Sequence, residues 1–509
     1  MTTKPRLLIL IVAYNAEKKI GAVLARVPHQ LAEEYDVDVL VLDDSSQDRT
    51  FEKSREAQRA RAIPFALHVL VNPVNQGYGG NQKIGYQFAI EQGFDYVALV
   101  HGDGQYAPEC LPDLVCPLRA GEADAVFGSR MLEKAAALRG GMPLYKYVGN
   151  RILTGFQNWI LGASLSEFHS GYRVYSVEAL RRIPFALNTN DFHFDTEIII
   201  QLLLAGMRIK ELPIPTYYGD EISRVNGLKY AGHVAKSVLL AFCQRMGLFY
   251  DRRFDCEPAA TENARYQTKL NYLSPHSAAL EAIPQGARVL DLGCAGGYFG
   301  DTLRRERACR VTGVDRFPLG PGVEVDRFIR HDLNDGLPAV DLREYDYILL
   351  LDVIEHLSSP EAFVDHLRTA MKLAPAAKLL VSTANIGFAV TRFMHLVGQF
   401  NYGKRGILDL THSRLFTFSS LRRLFEQGGF RVRQMRGIPG PFPLVFGEGP
   451  LSRSLMAINT ALIRIARGLF SYQMFFVVEP QPSLEHLLRE AHHEPAMGSA
   501  SDERRVAAR

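Results

Sequence analysis

The chain has 509 residues, 47% of them hydrophobic and 22% charged, with a formal net charge of +3 at pH 7. That length exceeds what one hydrophobic core organises and fits two α/β domains of roughly 200–250 residues each. So small a charge, with no dense Lys/Arg block ahead of the tail, argues against a nucleic-acid partner.

From the N-terminus, Lys4 and Arg6 precede the apolar run Leu7–Ala13, which mimics a short signal peptide. The next residues are Tyr14-Asn15-Ala16-Glu17-Lys18-Lys19 rather than a small-residue cleavage site, so the run reads as the buried first strand of a parallel sheet. Val37–Leu42, Phe65–Val71 and Tyr96–Val100 are further β-rich runs, each leading into a polar loop or a helical pattern, the alternation of a βαβ sheet. The periodicity breaks over Asp251–Thr268. A second alternation begins at Arg288–Leu290 and continues through Arg310–Val314, Tyr345–Leu351 and Lys378–Ser382. The expected organisation is a domain over 1–250, a linker over 251–268, a second domain over 269–480 and a disordered tail over 481–509, which is poor in large apolar residues. The six cysteines carry no CxxC spacing, which favours reduced thiols in a cytosolic compartment over disulfides or a zinc site. No run reaches the roughly 20 apolar residues of a transmembrane helix. Val234–Tyr250 and Leu455–Val477, apolar but interrupted by Lys or Arg, either pack as core or interdomain helices or lie on a membrane surface, the inner face for a cytosolic protein.

Ligands of such sheets bind beyond the carboxyl ends of the strands. After the second strand comes Asp43-Asp44-Ser45-Ser46-Gln47-Asp48-Arg49-Thr50. Its paired carboxylates suit a ribose and a base edge, with Ser45 and Ser46 capping the next helix; the same residues also suit a plain turn. After the fourth strand, His101-Gly102-Asp103-Gly104-Gln105 sets a carboxylate on a glycine-flanked turn, where it can approach Mg²⁺ or Mn²⁺ carried by a diphosphate. Asn75-Gln76-Gly77-Tyr78-Gly79-Gly80, Gly128-Ser129-Arg130, Ser170-Gly171-Tyr172-Arg173 and Phe192–Glu197 complete the set. Together these motifs resemble the family-2 glycosyltransferases of the GT-A fold, and within them the dolichol- and polyprenyl-phosphate sugar transferases, over about residues 5–240.

The resemblance implies a nucleotide-sugar donor contacted by Ala13, Tyr14, Glu17, Asp43 and Asp44, and a divalent cation held by Asp103 and Gln105. It implies phosphate contacts from Arg130 and Arg173, whose guanidinium forks match phosphate oxygens, and places Glu197 near sugar and acceptor. A lipid-phosphate acceptor needs no general base; a glycan hydroxyl needs one, with Asp195 or Glu197 the first candidates. The chain departs from the family at His101, where a carboxylate is common, so this imidazole is either a ligand or a structural hydrogen-bonder. It departs again over Glu221–Lys229, the acceptor segment, where Arg224 and Lys229 remain to engage phosphate.

In the second half, Asp291-Leu292-Gly293-Cys294-Ala295-Gly296-Gly297 joins a strand to a helical stretch, and small residues there let backbone N–H groups approach a ligand. Asp315 ends the next strand, then come His331-Asp332-Leu333 and Asp352-Val353-Ile354-Glu355-His356-Leu357. This set resembles the class I S-adenosylmethionine-dependent methyltransferases over about residues 265–480, a Rossmann-like fold. It implies S-adenosylmethionine as cofactor, with Asp291, Gly293 and Gly297 at the methionine moiety, Asp315 at the ribose and Asp332 at the adenine. Asp352, Glu355 and His356 lie where the sheet meets the substrate pocket. His356 is the leading base, since imidazole titrates near neutrality; His412 is a second candidate, and Arg392 and Arg414 are candidates to meet an anionic substrate. The fold expected is thus two doubly wound α/β domains. The function expected is transfer of a sugar to a lipid-phosphate or glycan acceptor, together with methylation of a glycan-related group. The alternative is a methyltransferase whose first domain is a silent binding or membrane-docking module.

Overall fold

The computed structural model describes residues 4–133, 136–216, 226–247, 249–256, 268–372 and 376–481. Two compact units emerge, Met1–Arg245 with Phe249–Ala259 and Met246–Leu248 with Ala260–Arg509. Part of the stretch read as a linker therefore belongs to the first unit. There Arg253 donates to the buried Glu197 carboxylate and pairs with Asp251, and Phe254 is buried with Ile200 and Val234. The tail expected over 481–509 lies, but for Gln481, outside the described residues.

The first unit holds strands β1 (Arg6–Ala13), β2 (Asp36–Asp43), β3 (Ala66–Val71), β4 (Tyr96–His101), β5 (Ala125–Ser129), β6 (Arg173–Ser176) and β7 (Ile209–Pro213). They form one sheet in the order β3-β2-β1-β4-β6-β5-β7. β1 runs parallel to β2 and β4, and β6 is antiparallel to both β4 and β5. Leu7, Ile9 and Ile11 enter one core cluster and Leu8 and Leu10 the other. Burial on both faces is why β1 reads as an unbroken apolar run instead of an alternating one.

The second unit holds β8 (Arg288–Leu292), β9 (Arg310–Asp315), β10 (Arg327–Arg330), β11 (Tyr347–Leu351), β12 (Lys378–Ala384), β13 (Phe430–Ile438) and β14 (Gln473–Pro480). Their order is β10-β9-β8-β11-β12-β14-β13, the first five parallel and β14 antiparallel to both β12 and β13. Both sheets are covered by helices, so the expectation of two doubly wound α/β domains holds, with antiparallel strands added in each.

Neither apolar segment is a single surface helix. The first lies largely in the helix Gly227–Arg245, whose Val234, Val238 and Ala241 are buried. The second divides into the end of the helix Pro450–Ile465, the short helix Arg467–Phe470 and most of β14, whose Met474, Phe475, Phe476 and Val478 are core residues. Among the described residues no helix is long and apolar enough to cross a membrane.

Glycines let the helix Gly77–Glu91 settle against the chain before the helix Phe194–Leu204. A Cβ on Gly79 would lie 2.5 Å from the Thr189 carbonyl oxygen and 2.6 Å from the Phe194 Cβ. Gly21, in the helix Ile20–Ala25, has open space around it. Gly79→Ala is therefore expected to lower stability by about 1–3 kcal/mol, whereas Gly21→Ala raises it by about 0.5–1 kcal/mol. Urea unfolding monitored through the first unit checks both signs.

Candidate active sites

In the first sheet the strand order reverses between β1 and β4, which opens a crevice beyond their carboxyl ends. The loops there are stitched by side-chain-to-amide bonds. The Asn15 amide donates to Ser46 Oγ at 2.9 Å, that of Ala16 to Thr50 Oγ1 at 2.7 Å and that of Glu17 to Asp48 Oδ2 at 3.1 Å. The Glu17 carboxylate in turn accepts the Arg49 amide. Gly102 donates to the Val12 carbonyl, and a Cβ on it would lie 3.0 Å from that of Ala13. Ala13, Tyr14, Glu17, Asp43 and the His101–Gln105 turn are thus brought together around this edge, with Tyr14 exposed. Asp43 is buried and accepts the Ser46 amide and hydroxyl through Oδ1, while burial pushes its carboxyl above the ordinary range. Its Oδ2 makes no hydrogen bond among the described residues.

Several sequence expectations change here. Asp44 does not face the crevice as a ligand contact. Oδ1 accepts Asn72 Nδ2 at 2.8 Å and the Gln76 amide at 2.7 Å, and Oδ2 accepts the Gly77 amide at 3.0 Å. It pins the loop that starts the helix Gly77–Glu91. Ser45 and Ser46 do not cap the helix Thr50–Arg59; Asp48 accepts the Thr50 amide instead. Arg173 is 1% exposed and donates to the carbonyls of Ser170, Asp195 and Phe168, each at 2.9 Å, beside the Asp195 carboxylate at 3.5 Å. With its fork spent on backbone, it is an internal brace and not a phosphate contact. Arg130 is likewise buried against Glu167 and donates to the His169 carbonyl. Glu197 is fully buried, Oε2 accepting the Thr189 amide and Oε1 taking Ser237 and Arg253, so it offers no free oxygen to an acceptor. Of the acceptor segment, Arg224 lies outside the described residues and Lys229 is exposed.

His101 is half-buried between Tyr78 and Tyr106, with ring centroids at 5.6 and 5.0 Å. A Cβ on Gly171 would strike its Cε1 at 2.6 Å. The Tyr78 hydroxyl donates to Asp195 Oδ2 at 2.8 Å, leaving its oxygen to face His101 Nε2 at 3.5 Å. Burial holds the imidazole below its ordinary value despite the nearby Asp103 and Asp195 carboxylates. The imidazole is thus held neutral, with Nε2 turned toward the Tyr78 hydroxyl oxygen. Among the described residues Asp195 Oδ1 is buried without a hydrogen bond, 3.5 Å from Arg173 Nη1. Asp103 is exposed and gives one oxygen to the Gln105 amide at 2.9 Å. No group of three His, Cys, Asp or Glu ligand atoms among the described residues includes Asp103. One carboxylate with a neighbouring amide fits a hard cation that retains waters and diphosphate oxygens, and does not fit a resident ion caged by protein. Asn72 was not singled out by the sequence, and Tyr78 stood in a motif without a role of its own, because sequence carries no signal for a buried polar partner.

In the second sheet the order reverses between β8 and β11. Gly293 (φ 78°), Ala295 (φ 49°) and Gly297 (φ 76°) all adopt left-handed backbone, curling the loop before the helix Tyr298–Arg307. Asp315 fixes that curl: Oδ2 accepts the Ala295 amide at 2.7 Å and Oδ1 the Phe317 amide at 2.9 Å. Asp291 is 4% exposed, yet its carboxylate makes no hydrogen bond or ion pair among the described residues. Burial and the Asp315 carboxylate push it up to about 7. A buried carboxyl without a partner beside a glycine loop fits a ligand bearing positive charge, as a sulfonium amino acid does. Asp332 holds Asn334 and lies 3.8 Å from Arg316.

Past β11, Asp352 sits at φ 56°, a strained conformation for a non-glycine residue. Its Oδ1 accepts from Ser382 Oγ at 2.7 Å and its Oδ2 from Gln473 Nε2 at 2.8 Å. Glu355 is 2% exposed, and burial with the Asp352 charge pushes it up to about 8. His356 and His412, remote in sequence, stand with ring centroids 4.8 Å apart. Arg392 donates through Nε to the Gly387 carbonyl, and Arg414 pairs with the exposed Glu361.

Two crevices of this kind, one beside a nucleotide-type loop and one beside a methyl-donor-type loop, define transferase chemistry. Residues 8–183 match the family model for glycosyl transferase family 2, and residues 261–435 match that for a methyltransferase domain. The undecaprenyl-phosphate mannosyltransferase of Micrococcus luteus is 30% identical over 210 residues, 41% of this chain and 82% of that protein. The low-salt glycan biosynthesis hexosyltransferase Agl6 of Haloferax volcanii is 33% identical over 219 residues, 43% of this chain and 49% of that one. Among solved structures, the glucosyl-3-phosphoglycerate synthase of Mycobacterium tuberculosis aligns over 46% of this chain and 80% of its own, at 20% identity and a TM-score of 0.35. The chain belongs to glycosyl transferase family 2 through its first unit and carries a methyltransferase domain in its second.

As an internal brace, Arg173 stands or falls with the fold. Arg173→Met leaves the Asp195 carboxylate buried without its cation and is expected to cost about 3–5 kcal/mol of stability. Urea unfolding checks this; a phosphate-binding Arg173 would instead give an unchanged unfolding midpoint and weakened donor affinity.

Proposed function

We propose that the chain is a bifunctional transferase: its first unit moves a sugar from a nucleotide-sugar donor to a lipid-phosphate acceptor, and its second methylates a hydroxyl of a glycan-related substrate with S-adenosylmethionine. The observation that carries this reading is the convergence of the motif loops, in each unit, at the sheet edge where strand order reverses. In the first crevice Asp43 and the loop Ala13–Glu17 hold the nucleoside. Asp103 and Gln105 meet a divalent cation that arrives with the diphosphate, and this cation supplies charge neutralisation to the departing nucleotide. An acceptor phosphate is already anionic, so the inward-turned Glu197 is no loss to the chemistry. Were the acceptor a glycan hydroxyl, Asp195 would be the remaining carboxylate for a base.

A lipid-linked acceptor accords with the helix Leu144–Leu161, which exposes Leu144, Tyr145, Val148, Ile152 and Trp159 and contains no acidic residue. Such a face, carrying the exposed Arg151, suits the inner, anionic surface of a membrane. In the second crevice Asp291 meets the ammonium and sulfonium end of the methyl donor, and Asp315 and Asp332 the nucleoside. Cofactor binding orients the methyl group, and His356, with Nε2 unprotonated, takes the acceptor's proton. One observation favours the second reading, a methyltransferase with a silent first unit: His101 stands where a carboxylate would, leaving Asp103 alone.

The full chain, incubated with nucleotide-sugars, polyprenyl phosphate in anionic vesicles and Mn²⁺, is expected to transfer sugar. Asp103→Ala is expected to lower that transfer at least about 100-fold; donor binding without turnover under every metal condition would favour the silent reading. For the methyl donor, binding a cation ionises Asp291 and releases its proton. Affinity is therefore expected to rise by up to about tenfold per pH unit below the carboxyl's pKa of about 7 and to level off above it. In the free protein the same raised pKa contributes stability below the ordinary carboxylate range that is lost as pH rises through about 7. Calorimetry in buffers of different ionisation heat reads the proton release, and Asp291→Asn is expected to flatten both pH dependences.

A further inference from the structure

We infer that Glu355, His356 and His412 form a binding site for a divalent first-row transition-metal ion, which holds the hydroxyl of the methyl acceptor beside the methyl donor. One ligand atom from each residue lies within 4.8 Å of the others. Ligand atoms bound tetrahedrally to one ion at about 2.0–2.2 Å sit about 3.3–3.6 Å apart, so side-chain rotations that move each atom by about 1 Å bring the three onto a shared ion.

Three independent features prepare these groups as ligands. His356 Nδ1 lies 3.1 Å from the Thr411 carbonyl oxygen and His412 Nδ1 lies 2.9 Å from that of Ile407. A carbonyl only accepts, so both Nδ1 atoms carry the proton and both Nε2 atoms keep their lone pair, the arrangement of outer partners that orients metal-bound imidazoles. Neither Nε2 makes a hydrogen bond among the described residues. Among the described residues Glu355 Oε2 is buried and makes no hydrogen bond of good geometry, although the Thr383 hydroxyl and the Ala384 amide lie close enough to favour the carboxyl's charge. A buried carboxylate oxygen so weakly satisfied is costly, and a cation held beside it relieves that cost. The loop itself is fixed from both sides: Ser413 and Arg414 donate their amides to the Glu355 carbonyl, tying the segment of His412 to that of His356.

The cluster is also placed for the chemistry. A Cβ on Gly293 would meet Val353 at 2.5 Å, so the methyl-donor loop abuts the loop that carries Glu355 and His356. Exposed His356 leaves one side open to an incoming hydroxyl. Two imidazoles with one carboxylate select Mn²⁺, Fe²⁺, Co²⁺ or Zn²⁺ over Mg²⁺ or Ca²⁺, and leave open positions for an oxygen ligand. An ion there acidifies the acceptor hydroxyl. The hydroxyl proton passes to solvent, the O–C bond forms as the S–C bond breaks, and the sulfonium leaves as a neutral thioether. This inference rests on the methyltransferase reading above and gives His356 a ligand's role in place of a base's.

The test uses the full chain, stripped with a chelator, saturated with S-adenosylhomocysteine and titrated with Co²⁺ while its visible absorption and binding heat are recorded. The wild-type chain is expected to bind Co²⁺ at this site. His356→Ala and His412→Ala should each weaken that binding by at least about 10–100-fold while keeping their affinity for S-adenosylhomocysteine. His193→Ala, in the separate Asp191, His193 and His233 group of the first unit, should retain it. If an alanine variant no longer binds S-adenosylhomocysteine, His356→Gln or His412→Gln repeats the measurement with side-chain bulk preserved. Wild-type Co²⁺ binding in the His412 variants, or none in a wild-type chain that binds S-adenosylhomocysteine, overturns the metal site and spares the methyltransferase. A wild-type chain that fails to bind S-adenosylhomocysteine overturns both.

Discussion

An aspartate at or just past the end of a strand, accepting backbone amide protons from a glycine-rich loop, is the interaction on which both crevices depend. Asp44 takes the amides of Gln76 and Gly77 in the first unit, and Asp315 takes those of Ala295 and Phe317 in the second. The glycines supply left-handed turns and close approach but no rigidity of their own. A carboxylate accepting two amides supplies what the glycines lack, because charge-assisted bonds to backbone N–H are among the stronger ones available. Each loop is thereby fixed before any ligand arrives.

The same economy of charge explains which ionisable groups face inward. Arg173 and Arg130 spend their forks on carbonyls and on Glu167, and Glu197 spends its oxygens on Thr189, Ser237 and Arg253. These groups brace the chain behind the first crevice. Three buried carboxyl groups among the described residues are left short of hydrogen-bond donors, and under the proposed function these are where a ligand completes the structure. Among the described residues the Asp291 carboxylate makes no hydrogen bond, Glu355 Oε2 is buried without one, and Asp195 Oδ1 has only the Arg173 guanidinium at 3.5 Å. Two of the three lie in the methyltransferase domain, one within β8 and the other on the loop after the adjacent strand β11.

Much of the fold was legible because parallel strands buried on both faces write themselves as apolar runs. β1 to β4 agree with those runs to within one residue, and β8, β9, β11 and β12 to within two. The antiparallel additions were harder to read. β6 is only four residues and begins at Arg173, and β13 interleaves Arg431, Arg433 and Arg436 along a sheet edge. β14 was hidden in an apolar stretch that also contains the end of a helix. At the sites, motif positions reported which residues gather at the strand ends but not where their side chains turn. Asp43 and Asp44 are neighbours of one type, yet one keeps an oxygen free and the other has none to spare. No spacing rule reveals that His412 meets His356, because a long stretch of chain separates them and only the fold returns one to the other.

The claim that most needs testing is that two donors occupy separate crevices on this one polypeptide. Hydrogen exchange of the full chain, with S-adenosylhomocysteine and with a nucleoside diphosphate plus Mn²⁺ added in turn, reads this directly. The account predicts slowed exchange over residues 291–298 and 315–317 with the first ligand, and over 13–17, 43–48 and 102–106 with the second, each leaving the other set unchanged. Protection of a single set by both ligands, or an indifferent first unit under every nucleotide, would contradict it.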